Sequence, residues 1–159
     1  MQCKIQKTRI NGFTLIEVLL VIAILAILSA ITIIAINPAK QLATARDNHR
    51  SADVYAILNA VHQYAIDHDG ALPGGITTDN LEICMTYSST CDSTYLYDLS
   101  DLTSNQKYLV ELPIDPKCMT TSGGCAENST GYFINKTEGG RITVAAPSAE
   151  VTELISVTR

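Results

Sequence analysis

Three histidines, His49, His62 and His68, are the side chains here best suited to moving a proton near neutral pH, and none is placed to do so. No two of them stand at i,i+4, there is no H-E-x-x-H, and neither a glycine-rich phosphate loop nor a nucleophile elbow occurs. They read as polar positions on a solvent-facing or packed helix. The acids Asp79, Glu82, Asp92, Asp98, Asp101 and Asp115 are hard oxygen donors of the kind calcium takes, but their spacing matches no EF-hand loop. A solvated acidic face is the preferred reading, with Asp92, Asp98, Asp101 and Asp115 as the weak calcium candidates. Catalysis has no candidate residue, and the sequence calls for no cofactor.

One carboxylate does stand out, because Glu17 lies at the edge of a strongly apolar run. Of the 24 residues from Phe13 to Ile36, 20 are hydrophobic, and Val18 to Ala39 contains no charge over 22 residues. At helical rise those residues span roughly 33 Å, enough to cross a hydrocarbon core of about 30 Å. An acid embedded in a membrane costs ~2.5–3.5 kcal/mol on insertion scales, less at the interface or when paired. Glu17 therefore calls either for an interfacial position near the positive end of the helix or for a partner on another chain. Lys4, Lys7 and Arg9 precede the run with no acid among them, leaving 8 basic and 16 acidic side chains in the rest, a net of −8. Positive flanks stay cytoplasmic, so residues 40–159 are expected to face outward. The acidic body with no Lys/Arg cluster supports no direct nucleic-acid site.

The order of these features is specific. Gly12-Phe13-Thr14-Leu15-Ile16-Glu17-Val18, after a short basic leader and before a long apolar helix, resembles the class III signal of type IV pilins and of the pseudopilins of type II secretion. That resemblance implies removal of residues 1–12 by a prepilin peptidase cutting between Gly12 and Phe13, N-methylation of Phe13, and retention of residues 13–36 as a transmembrane and assembly helix. It also implies that Glu17 pairs with the N-terminal amine of a neighbouring subunit. The expected partners are then copies of the chain and other pilins, the peptidase, an assembly platform, and the membrane before assembly. The expected location is the inner membrane for the precursor, and a surface pilus or a periplasmic pseudopilus afterwards.

The fold expected is α+β: a long N-terminal helix, its inner half transmembrane and its outer half amphipathic, packed on a small antiparallel sheet. Pro38 lacks an N–H and is expected to kink the helix. Residues 37–69 then continue it, with Leu42, Ala45, Ala52, Tyr55, Leu58, Val61 and Ala65 forming a stripe that Val54, Ile57 and Tyr64 widen. Gly70 and Pro73 stop it. Residues 70–159 form the head: a loop-rich connector to 95, a short helix from Tyr95-Leu96-Tyr97 and residues 98–102 leading to Tyr108-Leu109, and a hairpin of residues 131–135 and 140–146 around a turn at 136–139. The last run, 151–157, is strand-prone. Leu112-Pro113-Ile114-Asp115-Pro116 breaks any helix and resembles a segment common in pseudopilins and short pilins.

With Cys3 in the leader, Cys84, Cys91, Cys118 and Cys125 remain. Both adjacent pairs have six intervening residues, and in an oxidising compartment short loops favour Cys84–Cys91 and Cys118–Cys125, although four cysteines permit three pairings. A four-cysteine zinc site would use closer knuckles, and free thiols are the remaining alternative.

The function expected is a structural subunit of a type IV pilus, polymerised through its N-terminal helix, with adhesion, motility or DNA uptake as properties of the fibre. One alternative is a type II secretion pseudopilin, and another is a single-pass anchored binding module that never polymerises.

Overall fold

A computed structural model describes residues 12–85, 91, 96–118, 125 and 128–159. The chain divides into two compact units, Met1–Gln41 and Leu42–Arg159.

In the first unit, helix α1 runs from Leu15 to Ile36. Thr14 caps it from an extended conformation, its side-chain oxygen accepting the Glu17 N–H at 3.3 Å. The Thr-x-x-Glu pattern at 14–17 is that of a capping box, and it places an acid in the first turn, where the helix dipole favours negative charge. The helix is apolar on all sides and buries none of its residues. It ends at Asn37, whose φ of +47° is the left-handed conformation that asparagine tolerates better than most residues. Pro38 is then the first residue of helix α2, Pro38–Asp67. The interruption expected at Pro38 thus falls one residue earlier. The fixed φ of proline suits a first helical position, where its missing N–H costs nothing, and the Asn37 carbonyl and side chain take up the Lys40 N–H instead.

From Leu42 onward α2 belongs to the second unit. Its buried face is Asp47, Arg50, Val54, Ile57, Leu58, Ala60 and Val61. Leu42 and Tyr55, placed by sequence in the apolar stripe, are 59% and 46% exposed. The buried stripe is rotated away from them because its first two turns carry an ion pair rather than aliphatic residues. The helix closes with the Gly70 N–H donating to the Ala65 carbonyl at 2.8 Å, with Asp69 and Gly70 both at positive φ.

Five strands are seen among the described residues: β1 Leu81–Cys84, β2 Leu96–Tyr97, β3 Ser129–Lys136, β4 Ile142–Ala146 and β5 Ile155–Thr158, in spatial order β2-β1-β3-β4-β5. The β3–β4 hairpin pairs Ile134 with Val144 and Lys136 with Ile142, and β5 adds antiparallel to β4. β1 pairs antiparallel with β3 but parallel with β2. The sheet is therefore mixed, a correction to the antiparallel sheet expected. β2 runs in the same direction as β1, which a two-residue hairpin turn cannot produce.

One face of the sheet packs on α2. Ile83, Tyr132, Ile134, Ile142, Val144 and Ala146 meet Val54, Ile57, Leu58 and Val61, and Leu99, Leu102 and Leu112 close the core from the loops. The connector from β2 onward makes short 3-10 turns at Ser100–Leu102 and Ser104–Gln106 rather than an α-helix.

Candidate functional site

The residues singled out by sequence divide between the two units. In the first, Phe13 and Glu17 stand at the start of α1, and they line one shallow surface recess with Val18, Val21 and Ile22. Phe13 is 82% exposed. α1 is 22 residues long and apolar enough to cross a membrane, with Glu17 as its single ionisable side chain. Backbone cleavage before Phe13 would leave a free amine four residues upstream of that carboxylate.

The second unit contains a cluster that the sequence did not reveal. Arg50 is fully buried. Its Nε donates to Asp115 Oδ2 at 2.6 Å and its Nη2 to Asp115 Oδ1 at 2.9 Å, a two-point guanidinium–carboxylate pair. Its Nη1 donates to Asp47 Oδ1 at 2.8 Å and to Glu150 Oε1 at 3.0 Å. Arg46 forms a second fork on Glu150, with both bonds at 2.6 Å, and Lys117 reaches Glu150 at 3.3 Å. Asp47 also accepts backbone N–H groups of Glu150 and Val151. Three cations thus meet three anions, so burial is charge-balanced. α2, the loop around Asp115 and the segment between β4 and β5 are tied at one point.

The electrostatics follow from these bonds. Hydrogen bonding from Arg46, joined by Arg50 and Lys117, holds the Glu150 carboxyl far below the usual carboxylate range despite some burial. Burial pushes Asp47 up, but the Val151 and Glu150 amides and Arg50 outweigh it and leave Asp47 below its ordinary value. The Asp115 bond drives Arg50 further up against desolvation. Burial raises the Tyr132 phenol, and Asp53, which accepts its O–H at 2.6 Å, adds to the shift.

The acids weighed as calcium donors are dispersed. Both Asp115 oxygens are taken by Arg50, and Oδ1 also accepts the Lys117 N–H at 2.8 Å, so this carboxylate is not available to a cation. Asp98 accepts the Ser100 N–H at 2.9 Å. Asp101 lies near Tyr64. Asp92 lies outside the described residues. No group of three potential metal ligands is found among the described residues.

Cys118 and Cys125 are joined by a disulfide. Its sulfurs lie over Gly131, where an added Cβ would come within 2.7 Å of the Cys118 sulfur and 2.8 Å of Asp115 Cβ, at a φ of +81°. Glycine is required there on both counts. The expected bond from Cys84 to Cys91 is not formed in this structure. Cys84, buried at the end of β1, carries a free thiol, and both residues line one recess. His49 bonds Asp53 at 2.8 Å, His68 bonds the Tyr64 carbonyl at 2.9 Å, and the His62 Nε2 is buried without a hydrogen-bond partner.

The comparison with family models matches residues 7–36 to the prokaryotic N-terminal methylation motif. Comparison with curated proteins and with solved structures gives no match. The matched segment contains Lys7 and Arg9 of the leader, Gly12, Phe13, Glu17 and all of α1. It fits a membrane-anchored precursor that is trimmed and assembled. Over this N-terminal segment the chain carries the prokaryotic N-terminal methylation motif, which supports a likeness to the type IV pilins and pseudopilins.

Proposed function

We propose that the chain is a structural subunit of a type IV pilus, cut between Gly12 and Phe13, N-methylated at Phe13 and polymerised through residues 13–36. The observation that carries this reading is α1 itself, a largely apolar helix of 22 residues with none buried and one carboxylate in its first turn. Such a helix is at home in lipid before assembly and against identical helices afterwards, where close packing replaces lipid contact. A repeated head-to-tail contact of that kind generates an open helical filament. In it, the Glu17 carboxylate of one subunit meets the new amine of the next, which offsets the cost of removing either charge from water. The role is structural rather than catalytic. Residues 1–12 are the leader, 13–36 the assembly helix, 37–69 its outer continuation and 70–159 the head, carried on the outer side of the inner membrane until assembly.

The Cys118–Cys125 bond supports a head that faces an oxidising compartment. Leu112-Pro113-Ile114-Asp115-Pro116, by its resemblance to a segment common in pseudopilins, favours a second reading, a type II secretion pseudopilin. Electron microscopy of fibres sheared from cells, with mass spectrometry of the fibre fraction, separates the two. The pilus reading predicts this chain in long surface fibres that Glu17→Ala abolishes. Fibres lacking the chain favour the pseudopilin, and a chain never found in any polymer favours the anchored module.

A further inference from the structure

Three recesses lie in a row along residues 98–108 of the head and share walls. The middle one, about 200 Å³, is lined by Tyr64, His68, Asp101, Asn105 and Tyr108 among others. It shares Lys107 and Tyr108 with a recess of about 240 Å³ that adds Gln63, Ile66 and Asp67. It shares Asp101, Ser104 and Asn105 with one of about 540 Å³, walled further by Asp98, Thr103 and Gln106. Together they make one elongated trough, lined mainly by hydroxyls, amides and carboxylates, with the aromatic rings in its middle.

Those rings are held in place. Tyr64 stacks on His68 with centroids 3.9 Å apart and planes 12° apart, and meets Tyr108 edge-on at 5.6 Å. The Tyr108 hydroxyl donates to Asp67 at 2.9 Å, the same carboxylate that Lys107 bonds at 2.7 Å, and the Lys107 ammonium lies 4.9 Å from the Tyr108 ring centre. A ligand binding here would not have to order these side chains first. Rigid rings beside hydroxyl and amide groups suit a ligand with an apolar face and a polar edge. A pyranose ring is such a ligand: its C–H face stacks on an aromatic side chain while its hydroxyls exchange hydrogen bonds. The charge narrows the class. Asp67, Asp98 and Asp101 face a single ammonium, that of Lys107, already paired with Asp67, so phosphate, sulfated or sialylated ligands meet net repulsion. A peptide would want a run of apolar anchor pockets, and the described walls offer only Ile66 at one end and Met85 with Cys84 and Cys91 at the other, separated by polar side chains.

We propose that this trough binds a neutral oligosaccharide, one sugar face lying against the Tyr64–Tyr108 cluster and its hydroxyls meeting Asp101, Asn105 and Ser104. The site requires neither polymerisation nor processing and so does not rest on the filament reading.

The test is calorimetric titration of the full chain in phosphocholine micelles, chosen because maltoside headgroups would compete, with maltotriose, cellotriose and chitotriose as probes. Sialyllactose and calcium chloride are titrated alongside. Saturable binding of at least one neutral trisaccharide is expected, weakened ~10-fold or more by Asn105→Gly, in which glycine accepts the positive φ of residue 105, and by Tyr108→Ala. Tyr108→Phe keeps the ring and should retain most of the affinity, which carries the test if Tyr108→Ala fails to fold by circular dichroism. The proposal is overturned if none of the three sugars saturates by on the order of 10 mM, if Asn105→Gly binds as the native chain does, if a folded Tyr108→Ala does so, if Tyr108→Phe loses binding altogether, if sialyllactose binds equally well, or if only calcium gives heat.

Discussion

Arg50 shows how far a single buried charge can organise the head. Its guanidinium is satisfied at every nitrogen by Asp115, Asp47 and Glu150, so removing it strips the buried Asp115 and Asp47 of their guanidinium partner, while Glu150 keeps Arg46 and Lys117. Arg50→Ala should cost about 3–5 kcal/mol, the range for breaking a buried pair from one side, read as a lowered urea midpoint of the full chain in micelles. The same cluster sets the acid limit. Asp47 and Glu150 titrate lower folded than unfolded, so their contribution is complete above the ordinary carboxylate range near ~4 and is lost as pH falls through the depressed values. A melting temperature flat from pH 7 to about 5 and falling below about 4 is expected; a decline beginning near pH 6.5 would point to histidine instead. Gly131→Ala should cost about 1–3 kcal/mol, because it combines a left-handed backbone with a 2.7 Å approach to the Cys118 sulfur.

At the scale of elements, the face of α2 makes a contrasting pair of substitutions informative. Leu58 is fully buried between helix and sheet, and Leu58→Ala should cost about 2–5 kcal/mol. Tyr55, one turn away and 46% exposed, should cost well under half as much on truncation. Equal losses would restore the stripe read from the sequence. That stripe went astray for a physical reason. Periodicity counts apolar residues, whereas the first buried turns of α2 carry Asp47 and Arg50, whose partners Asp115 and Glu150 lie 65 and 100 residues from Arg50 along the chain. The β3–β4 hairpin was legible because Tyr132, Ile134, Ile142 and Val144 alternate with less buried residues around a polar turn. β2, two residues long and paired parallel, carries no such pattern. The Asn37 break was legible only as the adjacent proline, since a left-handed asparagine leaves no mark in composition.

For the whole molecule, the N-terminal segment was the most legible part, because the requirement it meets is set by the bilayer rather than by distant side chains. Length, missing charge and one acid at a fixed offset from Gly12 suffice to describe it, and the matched family motif covers the same residues. The head is the reverse case, its partners brought together only by folding. In the proposed function, what joins the two is a chemical event at one peptide bond, which would turn an anchored precursor into a subunit with an amine for the next Glu17. Intact-mass measurement of the chain purified from its native membrane tests that event most directly. The account predicts a species beginning at Phe13 and one methylene heavier than the unmodified residues 13–159. A mass that retains Met1–Gly12 would contradict it.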